Sequence, residues 1–450
     1  MKKRRFALST THIILFSFLI VILIGAILLS LPVSSASGEA TPFLDALFTA
    51  TTSTCVTGLV VLPTVSAWSV FGQSVILVLI QVGGLGVITI MSIVMILLNR
   101  KMGLGDRLLL QDAFNLNSLS GLIRFVKKVV VGTLLVEGMG ALLYMTVFVP
   151  EFGAKGIWIS IFTSVSAFCN AGIDIIAENS LCNYALNPTI NIVTCALIIL
   201  GGIGYIVWWD VVRVLRQRKR GKFFQRLTLQ SKIALSTTLS LIVAGAVMIL
   251  IFEYNNPQTM RGYTFLQKMQ ASVFQSVTTR TAGFATIPQE NLSNATSVVC
   301  LLLMFIGGSP VGTAGGIKTV TFAIIAASAM SSIRNKEDTD LFGRQISKQA
   351  VSKALAVVFM SFAIMFTATV LLSAVTDASS LDIAYETVSA TATVGLTRNL
   401  TPSLNSIGRM IIIVTMYLGR VGPISLAIAF NRKKNNQNIV RNPIEEISVG

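Results

Sequence analysis

Asp45-Ala46-Leu47-Phe48-Thr49-Ala50-Thr51-Thr52-Ser53-Thr54-Cys55-Val56-Thr57-Gly58-Leu59 is apolar enough to enter a bilayer and too short to cross one. A helix needs about 20 residues to span the ~30 Å hydrocarbon core. Asp45 stands where an N-cap would. The stretch therefore reads as a helix that dips in and turns at Gly58. Non-helical backbone at membrane depth is tolerated only inside protein or beside a water-filled cavity. The segment predicts a pore or a cavity.

The pattern recurs. Asp382-Ile383-Ala384-Tyr385-Glu386-Thr387-Val388-Ser389-Ala390 is a second short stretch, with Asp382 at its N-cap position. The short stretches end in related segments: Thr54-Cys55-Val56-Thr57-Gly58, Phe168-Cys169-Asn170-Ala171-Gly172, Thr279-Arg280-Thr281-Ala282-Gly283 and Thr391-Ala392-Thr393-Val394-Gly395. Their glycines lie 114, 111 and 112 residues apart. A second motif starts 25, 29, 24 and 24 residues after each, at Gly83, Gly201, Gly307 and Gly419. Two motifs in register through four copies define a fourfold internal repeat. The predicted units are 11–98, 122–215, 230–333 and 346–430, followed by a tail at 431–450.

Composition places this repeat in a membrane. Of 450 residues, 53% are hydrophobic and 12% charged, about half the charge density of soluble domains. A soluble enzyme is excluded. Apolar runs recur at 11–31, 70–98, 129–149, 189–212, 231–252, 296–333, 354–376 and 405–430. The net charge of +16 is mostly topology. Residues 2–5, 100–128, 213–232, 334–353 and 432–441 hold 27 of the 35 Lys and Arg, while 32–69 and 171–212 hold none. The positive-inside rule places both termini and every basic linker in the cytoplasm. All four units then point the same way, with the symmetry axis along the membrane normal. The expected fold class is an all-α integral membrane protein: four parallel helix, pore-helix, helix repeats around a central pore, with about eight transmembrane helices. The five cysteines fit no zinc or disulfide spacing and read as small apolar fillers.

Four re-entrant loops around one axis bring backbone carbonyls to a central path, where they can replace the hydration shell of a monovalent cation. A glycine in each loop allows the backbone to aim them inward without a Cβ in the way. Nearby Thr and Ser hydroxyls can brace the loops from behind. The second loop departs most, with Asn170 in place of a hydroxyl residue.

On these residues the chain resembles the Trk/Ktr/HKT superfamily of cation transporters over essentially its whole length. DALFTATTSTCVTGL (45–59), SVTTRTAGF (276–284) and ETVSATATVGLT (386–397) are similar to KtrB-type membrane subunits of bacterial potassium uptake systems. The resemblance implies a selectivity filter lined by the carbonyls of Thr54 to Thr57, Phe168 to Ala171, Thr279 to Ala282 and Thr391 to Val394. It implies that glycine at all four of 58, 172, 283 and 395 favours potassium. It also implies a homodimer in the bacterial cell membrane, over a cytosolic nucleotide-binding ring of RCK subunits. No cofactor is expected in this chain beyond K+, or Na+ as a coupling ion. A Na+- or H+-coupled symporter is the alternative, and Na+ dependence is open.

The third repeat carries an odd segment. Gly307-Gly308-Ser309-Pro310-Val311-Gly312-Thr313-Ala314-Gly315-Gly316 holds five glycines and a proline, which disfavour an unbroken helix. Gly308, Gly312 and Gly316 could form a close-packing face instead. The resemblance assigns the segment as an intramembrane gate loop. Lys318 follows it, either snorkelling or gating. Arg420 lies within the last apolar run, and an intramembrane arginine is a functional hypothesis by default. By resemblance it belongs to the gate, and Glu137 is its candidate partner. Glu386 is expected to brace the fourth loop, and Arg280 to turn from the path toward carbonyls. His12 is interfacial and carries no role. GGLG and GGIG lie inside apolar runs and are not dinucleotide loops. The basic run Arg213 to Lys222 fits lipid headgroups or an acidic partner better than nucleic acid. An intramembrane enzyme lacks the cluster of nucleophile, base or metal ligands that it would need.

Overall fold

A computed structural model describes residues 10–98, 103, 108, 121–217 and 222–422. The N-terminal basic residues, most of the first basic linker, the end of the last expected span and the whole predicted tail lie outside the described residues.

The first unit runs through α1 (Thr10–Ser30), α2 (Phe43–Cys55), α3 (Val70–Leu85) and α4 (Val87–Leu97). The second has α5 (Leu122–Phe152), α6 (Lys155–Cys169), α7 (Pro188–Gly202) and α8 (Tyr205–Arg216). The third has α9 (Leu229–Glu253), α10 (Phe265–Thr278), α11 (Asn294–Phe305) and α12 (Thr319–Ile333). A small hairpin of β1 (Thr339–Leu341) and β2 (Arg344–Ile346) leads to the fourth unit. That unit holds α13 (Lys348–Ser373), α14 (Ser380–Ala392) and α15 (Ser406–Val421).

Each unit opens with an outer helix. Among the described residues, α1, α5, α9 and α13 are the helices long and apolar enough to cross a membrane singly. They leave large apolar side chains exposed, such as Ile20, Leu134, Leu239 and Phe359. In water this band would be a liability; against lipid it is the stable arrangement. The short helices α2, α6, α10 and α14 are buried at the centre. They are rich in hydroxyls, which burial would penalise if unpaired. The helix backbone absorbs many of them: Thr49, Thr51 and Ser53 donate to Asp45 O, Leu47 O and Thr49 O, and Thr391 donates to Thr387 O.

The inner helices begin alike. Ser69, Asn187, Ser293 and Asn405 each accept a backbone N–H of the first turn and cap α3, α7, α11 and α15. Asp45 and Asp382 are not caps, contrary to expectation. Pro42 and Ser379 hold those positions. The two carboxylates lie in the first turn and bind arginines: Asp45 pairs with Arg409, and Asp382 accepts from Arg398 Nε at 2.7 Å.

The runs 70–98 and 189–212, expected to cross unbroken, are each bent: α3 meets α4 at 97° and α7 meets α8 at 98°. The breaks fall at Gly86 (φ 88°, ψ 134°) and Gly204 (φ 90°, ψ 138°). Gly422 ends α15 in the same conformation (φ 92°, ψ 134°). These dihedrals are open to glycine and closed to residues with a Cβ. In the third unit the break widens to the non-helical segment 306–318, between α11 and α12. All four inner helices therefore stop within or just before the second glycine motif, a break that the sequence predicted only for the third.

A Cβ at Gly204 would lie 2.3 Å from Pro310 O, while one at Gly138 of α5 meets nothing within 4 Å. We expect Gly204→Ala to lower stability in detergent by at least about 2 kcal/mol through strain and overlap. Gly138→Ala should be neutral or stabilising by up to about 1 kcal/mol. Thermal unfolding of the two variants checks this; equal midpoints would contradict it.

Candidate functional site: a ring of four glycine loops

The four short helices converge on one ring. Each ends before a residue in the left-handed region: Val56 (φ 56°), Asn170 (φ 59°), Thr281 (φ 71°) and Thr393 (φ 51°). Each of these stands two residues ahead of a glycine that also has positive φ: Gly58, Gly172, Gly283 and Gly395. In three loops the helix end is a Schellman-type motif. Thr57 N, Ala171 N and Val394 N donate to Thr52 O, Ser166 O and Ser389 O, each at 2.8 Å.

The glycines abut in cyclic order. A Cβ on Gly58 would lie 2.5 Å from Ala171 O, and one on Gly172 would lie 2.6 Å from Ala282 O. One on Gly283 would lie 2.5 Å from Val394 O, and one on Gly395 would lie 2.3 Å from Thr57 O. Each loop's glycine thus takes the carbonyl of the next loop where a side chain would be. Real Cβ atoms do not approach so closely, so any larger residue forces the ring open.

A second tier supports it. Cβ atoms on Gly83, Gly201 and Gly419 of the inner helices would fall 1.9, 1.9 and 2.2 Å from Thr54 O, Phe168 O and Thr391 O. Close backbone packing at these points ties the second glycine motif to the first in the first, second and fourth units. Hydroxyl bracing is partial. Gly58 N and Gly395 N donate to Thr52 Oγ1 and Ser389 Oγ, both at 3.0 Å. Ser166 Oγ, in the matching place of the second unit, has no partner among the described residues. Nor do the hydroxyls of Thr54, Thr57, Thr281 and Thr393.

The second loop, expected to deviate most, keeps the shared backbone, because asparagine tolerates the left-handed region. The third deviates instead. Its helix stops early at Thr278, and Ala282 N donates to Thr278 O at 2.9 Å.

The segment Gly307 to Gly316 lies directly beneath the ring. Ser309 N and Thr313 N donate to Gly202 O (2.8 Å) and Gly201 O (3.1 Å), and Tyr205 N donates to Val311 O (2.9 Å). Three backbone bonds therefore fasten it to the break between α7 and α8. Its root is closed by Ile317 N to Phe305 O and Thr319 N to Gly308 O. A packing face of small residues on a helix is ruled out, since residues 306–318 form no helix.

Arg420 does not pair with Glu137. Its guanidinium donates to Thr313 O at 2.7 Å and to Gly83 O at 2.5 Å. Glu137 is held by Gln81 Nε2 at 3.2 Å and lies 3.8 Å from Cys169 Sγ. Arg280 turns down to Gly307 O at 3.1 Å. Lys318 folds back on the loop, donating to Ala314 O at 2.7 Å, and does not reach outward. Glu386 accepts from Thr397 Oγ1 at 2.6 Å and from Thr401 Oγ1, bracing the segment past Gly395.

Two arginines without an assigned role prove to tie units together. Arg409 joins α15 to Asp45 of the first unit. Arg398 reaches Ser297 Oγ at 2.6 Å and the carbonyls of Gln289 and Leu292 in the third. Their signal in the sequence was an arginine near an apolar run on a side otherwise poor in basic residues.

Four such units around one axis define an all-α membrane transporter. The chain matches the family model for TrkH, cation transport protein, over residues 2–442, and it belongs to that family. It is 40% identical to the potassium/sodium uptake protein NtpJ of Enterococcus hirae, covering 100% of this chain and 99% of that one. It is 39% identical to the Ktr system potassium uptake protein B of Bacillus subtilis, covering 98% and 96%. Its fold is similar to that of the crystal structure of the potassium transporter TrkH from Vibrio parahaemolyticus, with a TM-score of 0.75 at 14% identity over 96% of this chain and 86% of that one.

Asp174, past the second loop, was not anticipated. It is buried, and its carboxylate accepts from Ser180 Oγ at 2.6 Å. Burial pushes the carboxyl up to about 6. The folded form then holds the proton more tightly than the unfolded chain, so stability falls as pH rises from about 4 through 6, by up to roughly 3 kcal/mol. Asp174→Asn should flatten that part of the stability profile. An unchanged slope in this variant would contradict the assignment.

Proposed function

We propose that this chain takes up potassium across the bacterial cell membrane through the ring of four glycine loops. The observation that supports this most is the cyclic contact of Gly58, Gly172, Gly283 and Gly395 with the carbonyl next round the ring. Relatives covered over almost their full length are named for potassium uptake. In this reading K+ sheds water and is held by carbonyls of 54–57, 168–171, 279–282 and 391–394. The buried short helices fix those oxygens in place before the ion arrives.

The loop Gly307–Gly316 is the gate beneath the filter. Arg420 holds it shut through Thr313 O, and Lys318 stiffens it from within. The positive-inside rule puts the basic linkers and both termini in the cytoplasm, on the gate side. Neighbouring copies pair as a homodimer, and a cytosolic RCK-type nucleotide-binding ring moves the gate. The chain needs no cofactor; K+ is its cargo, and Na+ modulates uptake.

Growth of a potassium-uptake-deficient bacterium on limiting K+ tests the filter. The chain should rescue growth. Gly58→Ser and Gly395→Ser should lose rescue or admit Na+, because each side chain displaces a ring carbonyl. Unchanged K+ preference in substitutions at all four glycines would sink the reading. Deleting 308–315 should raise basal flux many-fold if the segment is a gate; unaltered flux in a folded variant would refute that role.

A further inference from the structure

The loop Gly307–Gly316 touches three of the four glycine loops and reaches the first through Arg420 and Gly83. Thr313 Oγ1 donates to Phe168 O of the second at 3.0 Å. Arg280, inside the third, donates to Gly307 O. A Cβ on Gly315 would lie 1.9 Å from Thr393 Oγ1 and 2.6 Å from Ala392 O of the fourth. Arg420 links Thr313 O to Gly83 O, and Gly83 is pressed on Thr54 O of the first. A segment that only blocked the path would need none of these bonds.

We infer that Thr313 is a positioning residue for ion selectivity: its hydroxyl ties the gate loop to the Phe168 carbonyl, so the filter and the gate change state together. This rests on the filter and gate reading above. Thr313 is fully buried and uses its donor on Phe168 O, its amide on Gly201 O and its carbonyl on Arg420. Phe168 O is in turn squeezed by Gly201. Moving the loop breaks a charge-assisted bond on one side of Thr313 and releases a filter-loop carbonyl on the other. The second loop then relaxes relative to its neighbours, since Gly172 bears on Ala282 O. Ion preference becomes a property of gate position.

The test uses the full chain in proteoliposomes, reading Rb+ flux in competition with K+ and with Na+. Thr313→Val removes the hydroxyl at nearly constant shape. It should raise basal flux and shift both the apparent K+ affinity and the K+/Na+ preference by about three- to ten-fold, the worth of one buried hydrogen bond. Thr313→Ser keeps the donor and should restore wild-type preference. Ser309→Ala breaks only the Ser309 to Thr319 hydroxyl pair of 2.8 Å. It should change flux with preference unaltered. If Thr313→Val does not assemble, Thr313→Cys gives the same readout with a weaker donor. A Thr313 variant that changes flux and leaves preference at the wild-type value overturns the inference, as does one that changes neither. Failure of the underlying filter reading is seen separately, as unchanged K+ preference in substitutions at all four of Gly58, Gly172, Gly283 and Gly395.

Discussion

The structure depends on one constraint: four glycine α-carbons must lie where a Cβ would strike the carbonyl of the next loop. The contact is repeated around a closed ring, so no loop can be adjusted alone. Everything nearby serves to hold four backbone turns at that separation. Three of the short helices end in left-handed residues that swing the chain toward the axis, and in the third loop Thr281 does the same three residues past the helix end. The inner helices carry glycines at Gly83, Gly201 and Gly419 so that they can press on the loops from behind. Outside this shell, apolar outer helices face the lipid, where they need only be long and greasy.

The ring is not fully symmetric, and its departures are instructive. The first, second and fourth inner helices turn at a glycine with φ near 90°. The third has Pro310 at the corresponding place and opens into a non-helical loop that folds back on its own root. That loop is then captured by the carbonyls that the break at Gly204 exposes. The broken helices and the segment Gly307–Gly316 are therefore one device: the second unit's break supplies acceptors that the third unit's loop consumes. Arg420 completes it from the fourth unit, reaching the first through Gly83 O. A buried guanidinium among carbonyls is well matched, because its donors are many and fixed in a fork.

Much of this was legible in the sequence. Stretches too short to cross, four glycines at near-constant spacing and alternating basic linkers pointed to the fold before any coordinate. Glu386 and Arg280 behave as their neighbours in sequence suggested. What was hidden shares a physical cause. Hydropathy reports the solvent a residue prefers and is blind to φ, so Gly86 and Gly204 passed as ordinary residues of a spanning run. Long-range partners were equally hidden. Arg420 chose backbone carbonyls over Glu137, and Asp45 found Arg409 from 364 residues away. Asp45 and Asp382 looked like caps because they stand near helix starts, yet their arginine partners set their place. The second loop looked odd by side chain, but its asparagine fits the shared backbone; the third looked regular and is not.

If the proposed function holds, the cation sits in the ring itself. The direct measurement is anomalous diffraction from crystals grown in Rb+ in place of K+. Density is expected on the axis, enclosed by the carbonyls of Thr57, Ala171, Ala282 and Val394. Ordered Rb+ bound elsewhere, with none on the axis at that level, would contradict it.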